Sequence, residues 1–258
     1  MSSEYIDVTA GFDDDVLGPI PLLDAQRRLL SFCTSARSGW VTYDLAAHHA
    51  RSAGAFNTVA PWSLLWADAL AGQVSIGNVA DFTSERRTWF AELVGRIPER
   101  VDLGDMNPTE RADVVNLCKF GFAGAWGPKI TKVAALYRPR AVPVLDGYVA
   151  LAFGYRRDGF TMGGLPRHER IQRVVDALAD WTSGHAKVLA DLRKTTRQTV
   201  PEIDLVSDVR LLDIVLWTSQ DDRRSRPRKP FNAWLKEEPR SRVSREDVAP
   251  VAIPYPQT

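Results

Sequence analysis

Apolar positions recur every three or four residues along most of this chain, and that period predicts a mainly helical fold. In Pro21–Arg37 the residues Leu22, Leu29, Leu30 and Cys33 share one side. The same spacing runs through Trp62, Leu65, Trp66, Ala69 and Leu70, and again through Trp89, Phe90, Leu93, Val94 and Ile97. Ser84 caps the latter helix, and Pro98 stops it. A further helix spans Pro108–Phe122, opened by Asn107-Pro108-Thr109-Glu110. Later helices carry Ile171, Val174, Val175, Leu178 and Trp181, and then, after Pro201, Leu205, Val209, Leu212, Val215 and Leu216, which read as core. Between these elements Gly39–Asp44 reads as a short extended piece, with Asp44 capping a helix over Leu45–Ser52. Gly159–Pro166 reads as a mobile surface loop, and Leu189–Arg197 as basic and exposed.

The pattern changes around Gly124-Ala125-Trp126-Gly127-Pro128-Lys129-Ile130-Thr131-Lys132. A glycine-rich turn there opens a helix with two lysines in its first turns. That helix ends at Arg138-Pro139, because proline cannot continue it. An extended Ala141–Leu145 crossing follows, and Asp146-Gly147 stands at the mouth of another apolar helix, Tyr148–Phe153. The unpaired N–H groups of a helix start attract an anion, most simply a phosphate. The extended return brings Asp146 back towards that start, so a carboxylate and one or two ammonium groups face one cleft. Asp146 is equally a good N-cap, and capping is compatible with chemistry.

Composition narrows the classes. The chain has 258 residues, 25% charged and 45% apolar, with a formal charge of +1, which is ordinary usage for a soluble protein. Near-neutrality conceals an acidic start containing Asp13-Asp14-Asp15 and an arginine-rich run from Arg223 to Arg245. Cys33 and Cys118 are too few for a disulfide framework and suit a reducing cytoplasm. No apolar run approaches the ~20 residues that span a bilayer, and no secretory leader is visible. The expectation is a cytoplasmic protein with no membrane partner. His48 and His49 are neighbours on a helix and point about 100° apart, which makes them poor joint metal ligands.

The central stretch resembles the helix-hairpin-helix DNA glycosylases, which carry a glycine hairpin, a helix and a proline-containing extended segment ending in a catalytic Asp. Val142-Pro143-Val144-Leu145-Asp146-Gly147-x-Val149 is similar to the corresponding segment of the adenine-excising branch. Two residues separate Gly124 from Gly127, where the family hairpin has one. The resemblance implies a mainly α fold with two helical lobes around a cleft. Residues 21–218 would form it, with the hairpin in 109–138 and the catalytic segment in 139–154, between a flexible or loosely docked acidic arm (1–20) and a basic, proline-rich tail (219–258). It implies that Asp146 is catalytic. Lys129 stands where lyase-competent members carry their Schiff-base lysine, and Lys132 is the alternative. Gly124, Gly127, Lys129, Arg138 and Arg140 would hold DNA, with Gln73 wedging where a base leaves. Trp126, Tyr148 and Trp66 would line the pocket. The implied partner of a monomeric enzyme is double-stranded DNA, with no cofactor and no metal.

The implied activity is excision of a damaged or modified base, in repair or in defence against modified phage DNA. A non-catalytic nucleic-acid-binding protein on the same scaffold is the alternative. A helical interaction module, suggested by the tryptophans and the proline-rich tail, is a third reading. The run Arg223-Arg224-Ser225-Arg226-Pro227-Arg228-Lys229-Pro230, with Phe231 and Trp234 beyond it, reads either as a phosphate-tracking arm or as a solvated tail.

Overall fold

Helix caps and stops written in the sequence place most of the elements. The computed structural model describes residues 5–12, 17–35, 38–70, 72–120, 128–160 and 166–220, with backbone alone at 81, 166 and 167. The chain divides after residue 223 into two units, and every element below belongs to the first. Among the described residues are α1 (Leu22–Thr34), α2 (Ala46–Ser52), α3 (Ser63–Asp68), α4 (Ile76–Asp81), α5 (Glu85–Arg96) and α6 (Pro108–Lys119). They continue with α7 (Pro128–Tyr137), α8 (Gly147–Ala152), α9 (Pro166–Gly184), α10 (Ala186–Arg197) and α11 (Asp208–Ser219). The fold is mainly helical, as the periodicity predicts. No helix of the described residues is long and apolar enough to cross a membrane.

Side-chain caps account for several starts. Asn107 accepts from the N–H groups of Thr109 and Glu110 while Glu110 accepts from the Asn107 N–H, closing a capping box ahead of Pro108. Ser75 and Asn78 close a second box at α4. Ser84 caps α5 and Ser207 caps α11. Each such cap contributes roughly 1 kcal/mol.

The helix at the centre is α7. Every residue from Ile130 to Tyr137 is buried, so it is enclosed on all sides rather than seated by one stripe. It packs on α3 and α6, while α11 packs on α1, α8 and α9.

Three expectations are corrected. Residues 39–44 are not extended: Trp40–Leu45 forms a π-helical turn in which the Tyr43 and Asp44 N–H groups both donate to the Gly39 carbonyl. That turn sends Trp40, Tyr43 and Asp44 inward together. Asp44 therefore caps nothing and instead meets Arg210. Leu189–Arg197 is not an exposed segment, because Val188, Leu189, Leu192 and Thr196 form a buried stripe on α10 and leave only its other face basic. The acidic arm is docked where it is described. Tyr5–Ile6 (β1) pairs antiparallel with Ile20–Pro21 (β2), Ile6 and Val8 are buried, and the Leu17 N–H donates to the Ala152 carbonyl. Apolar residues set among the acidic ones anchor it. Residues 161–165 of the expected loop, and the tail beyond Gln220, lie outside the described residues.

Candidate functional site

The turn after α7 decides where Asp146 goes. The Ala141 and Val142 N–H groups donate to the Arg138 carbonyl, so the chain reverses at Pro139 and runs back beside the helix it has just left. Pro143 has no N–H to satisfy, and the next two are held by side chains. The Val144 N–H donates to Asp213 Oδ2 at 3.1 Å, and the Leu145 N–H to Thr131 Oγ1 at 3.1 Å. Asp146 follows, and its Oδ1 accepts from the N–H groups of Tyr148 (2.9 Å) and Val149 (3.1 Å), starting α8.

Asp146 and Lys132 line one cavity of about 130 Å³, roughly ten times the space that one water requires. Phe32, Leu70, Val144 and Trp217 supply apolar wall, and Arg210 and Asp213 the remaining charge. Lys132 is buried, and its Nζ donates to the Leu70 carbonyl. Burial pushes its amine below the usual lysine range, against the pull of the Asp146 carboxylate. Asp146 is half-buried and is pushed above the usual carboxylate range by burial, against Lys132, the Val149 N–H and a hydrogen bond from the Trp217 side chain.

A buried ionic cluster reaches the cavity through Arg210 and Asp213. The Arg210 guanidinium grips Asp44 with both prongs, Nε to Oδ1 at 2.7 Å and Nη2 to Oδ2 at 2.9 Å, and donates Nη1 to Asp213 Oδ1 at 2.6 Å. Its Cζ lies 5.7 Å from the Phe32 ring centroid and 5.5 Å from that of Tyr43. Two carboxylates thus share one cation. Burial pushes Asp213 up to about 7, with Asp44 adding to the rise and Arg210 and the Val144 N–H opposing it. Burial opposes the charge on Arg210, but Asp213 and Asp44 hold it firmly protonated. Tyr43 ties this cluster to α7 by donating its hydroxyl proton to the Lys132 carbonyl.

The other expected site residues scatter. Lys129, one turn before Lys132, donates its Nζ to Asn78 Oδ1 at 3.0 Å and is not among the cavity's lining residues. Arg138 gives its guanidinium to the carbonyls of Ile97 and Tyr137, and Arg140 pairs with Asp102. Gln73 is exposed at φ 52°, a left-handed conformation uncommon for a side chain of its kind. Trp66 packs on Phe56, and Tyr148 stands edge-on to the cavity residue Trp217 with ring centroids 5.5 Å apart. Gly124, Trp126 and Gly127 lie outside the described residues. The sequence reading missed Asp44, Arg210 and Asp213 as a group. One signal was present: Asp213 interrupts the run Leu211–Leu216 three residues after Arg210, the spacing of neighbours on one helix face.

Residues 26–220 match a family of unknown function (DUF6308). The chain belongs to this family. No curated protein matches the chain, and no solved structure does. The DUF6308 region contains Lys132, Asp146 and the whole Arg210 cluster, whereas β1 and β2 precede it.

Proposed function

We propose that this protein is a DNA glycosylase of the helix-hairpin-helix kind, which takes a damaged or modified base into the Lys132–Asp146 cavity and releases it. One observation carries the reading: the extended crossing after α7 delivers Asp146 into the same cavity as a buried lysine. The resemblance of Val142–Val149 to the catalytic segment of those enzymes supports it further. Flipping the nucleotide costs a few kcal/mol, least for a damaged or mispaired base. As the glycosidic bond breaks, positive charge develops on the sugar, and the ionised Asp146 stabilises it or draws a proton from attacking water. Two backbone N–H groups on Oδ1 fix the orientation of that carboxylate. Lys132, whose amine is more readily neutral than an exposed lysine's, is the candidate for direct attack on the sugar and Schiff-base formation.

The test is incubation with duplexes carrying single alkylated, deaminated or oxidised bases, followed by alkali to cut abasic sites. Wild type is expected to cut at one class of lesion, and Asp146→Asn to slow that by about 10²–10³-fold. Equal rates for the two proteins would remove Asp146 from the mechanism. Borohydride trapping of wild type but not of Lys132→Gln would identify the amine nucleophile.

A second reading has an observation of its own. Asp146 caps α8 and Lys132 satisfies the Leu70 carbonyl, so both have structural employment without chemistry. It describes a nucleic-acid-binding protein that yields no abasic product on any lesion.

A further inference from the structure

The arginines expected to hold phosphates, Arg138 and Arg140, are occupied by protein partners. Elsewhere Arg157, Arg170 and Arg173 have no ion pair among the described residues, and each lies over an aromatic ring. Arg51 does so too, over Phe56, but its guanidinium donates to the Leu136 carbonyl. Arg157 Cζ is 4.8 Å from the Tyr148 ring centroid, Arg170 Cζ is 5.4 Å from that of Tyr155, and Arg173 Cζ is 4.6 Å from that of Phe12.

Two of them share a surface, and the third follows Tyr155 closely in the chain. Arg170 and Arg173 are i, i+3 neighbours on α9. The rings beneath them are in contact, with Phe12 and Tyr155 centroids 6.3 Å apart. Tyr155 is two residues from Arg157, whose ring Tyr148 meets the cavity residue Trp217. Arg157, through Tyr148, therefore stands next to the cavity wall. Gly147 permits this placement: a Cβ there would stand 2.5 Å from Arg157 Cγ and 2.7 Å from its carbonyl. Arg157 and Arg173 are exposed and Arg170 half-buried. The carboxylates nearest in sequence are Asp158, paired with Arg156, Glu169 in the first turn of α9, and Asp176, three residues after Arg173, which accepts from Gln172 Nε2 at 2.9 Å. Arg157 also donates Nη2 to the Tyr148 hydroxyl at 3.3 Å, and the guanidinium N–H groups that remain on the three arginines are the donors that bind phosphate in a two-pronged manner.

We propose that Arg157, Arg170 and Arg173 form the track that grips the phosphodiester backbone of a nucleic acid beside the cavity. This rests on the DNA reading above and adds where the backbone runs. The rings hold the guanidinium groups in place, and the phosphates supply the anions for which these arginines have no ion-pair partner among the described residues.

The test is fluorescence anisotropy of a labelled undamaged duplex and of one bearing an abasic analogue, titrated with the full chain across 50–200 mM salt (about the range over which phosphate binding shows). Three proteins are compared with wild type. In one, Arg157, Arg170 and Arg173 are all changed to Gln. In the second all three become Lys, and the third is Arg197→Gln, whose arginine pairs with Asp204 on the surface. The slope of log affinity against log salt is expected to become shallower by about 0.9 for each phosphate that the glutamine protein no longer neutralises. The lysine protein keeps its charge and is expected to retain most of the slope, and Arg197→Gln all of it. A glutamine protein with the wild-type slope would overturn the track while leaving the DNA reading standing. A lysine protein as impaired as the glutamine one would also overturn it, since the effect would then come from disturbed packing. Wild type that binds neither duplex at any salt would sink the DNA reading and the track together.

Discussion

Arg210 and Arg140 make the same contact in two different media. Each lays a two-pronged guanidinium on an aspartate, Arg210 on Asp44 and Arg140 on Asp102. The side chains of the first pair are 11% and 4% exposed, and those of the second 49% and 30%. Water screens the Arg140 pair, and a surface ion pair contributes about 0–1 kcal/mol. Around Arg210 the solvent is replaced by Phe32, Tyr43 and two carboxylates, so each charge depends on the others being present. The lesson is that the geometry of an ion pair says little about its weight, and burial says most. The Arg210 cluster also joins the π-helical turn, α11 and, through Asp213, the segment that presents Asp146.

The contrast is easiest to break at its centre. Arg210→Met leaves Asp44 and Asp213 buried without a cation, and an expected loss of about 3–5 kcal/mol should appear as a lowered urea midpoint. A loss no larger than that of a surface pair would show that water reaches the cluster. Next in size is the pH response. Asp213 titrates near 7 in the folded chain against an ordinary value of 3.8. Between those values the folded state holds a proton that the unfolded state has released. The contribution of this group to stability is thus complete below about pH 4 and falls away as pH rises towards 7. Stability measured across that window should decline, and Asp213→Asn should flatten the decline. A variant with an unchanged slope would assign the titration to another group. The smallest effect is expected at the surface, where Arg140→Ala should cost about 0.2–1 kcal/mol and less at high salt.

Much of the helical layout was legible because its signals are local. Asn107-Pro108 with Glu110, Ser84, Pro139 after Arg138, and Asp146 before Gly147 each act within a few residues, and the elements they announce stand close to where they were expected. The π-helical turn was not legible, since Gly39–Asp44 carries no local mark of it and Asp44 is drawn inward by a partner 166 residues away. The exposed reading of Leu189–Arg197 failed for a different reason. Its four charges equal the buried stripe in number, and apart from the half-buried Arg193 they leave from the other face.

Chain order alone determined that a helix, a proline-broken turn and a crossing would end in Asp146 at the head of α8, because capping and proline geometry operate over one turn. Which lysine accompanies it was decided only by packing. Lys129 and Lys132 leave the same helix three residues apart, and nothing in their spacing to Asp146 says which side α4 or α11 will cover. The enclosing helices send Lys129 to Asn78 and shut Lys132 into the cavity with Asp146, Asp213 and Arg210. Desolvation is a property of everything around a group, so no single stretch of sequence contains it.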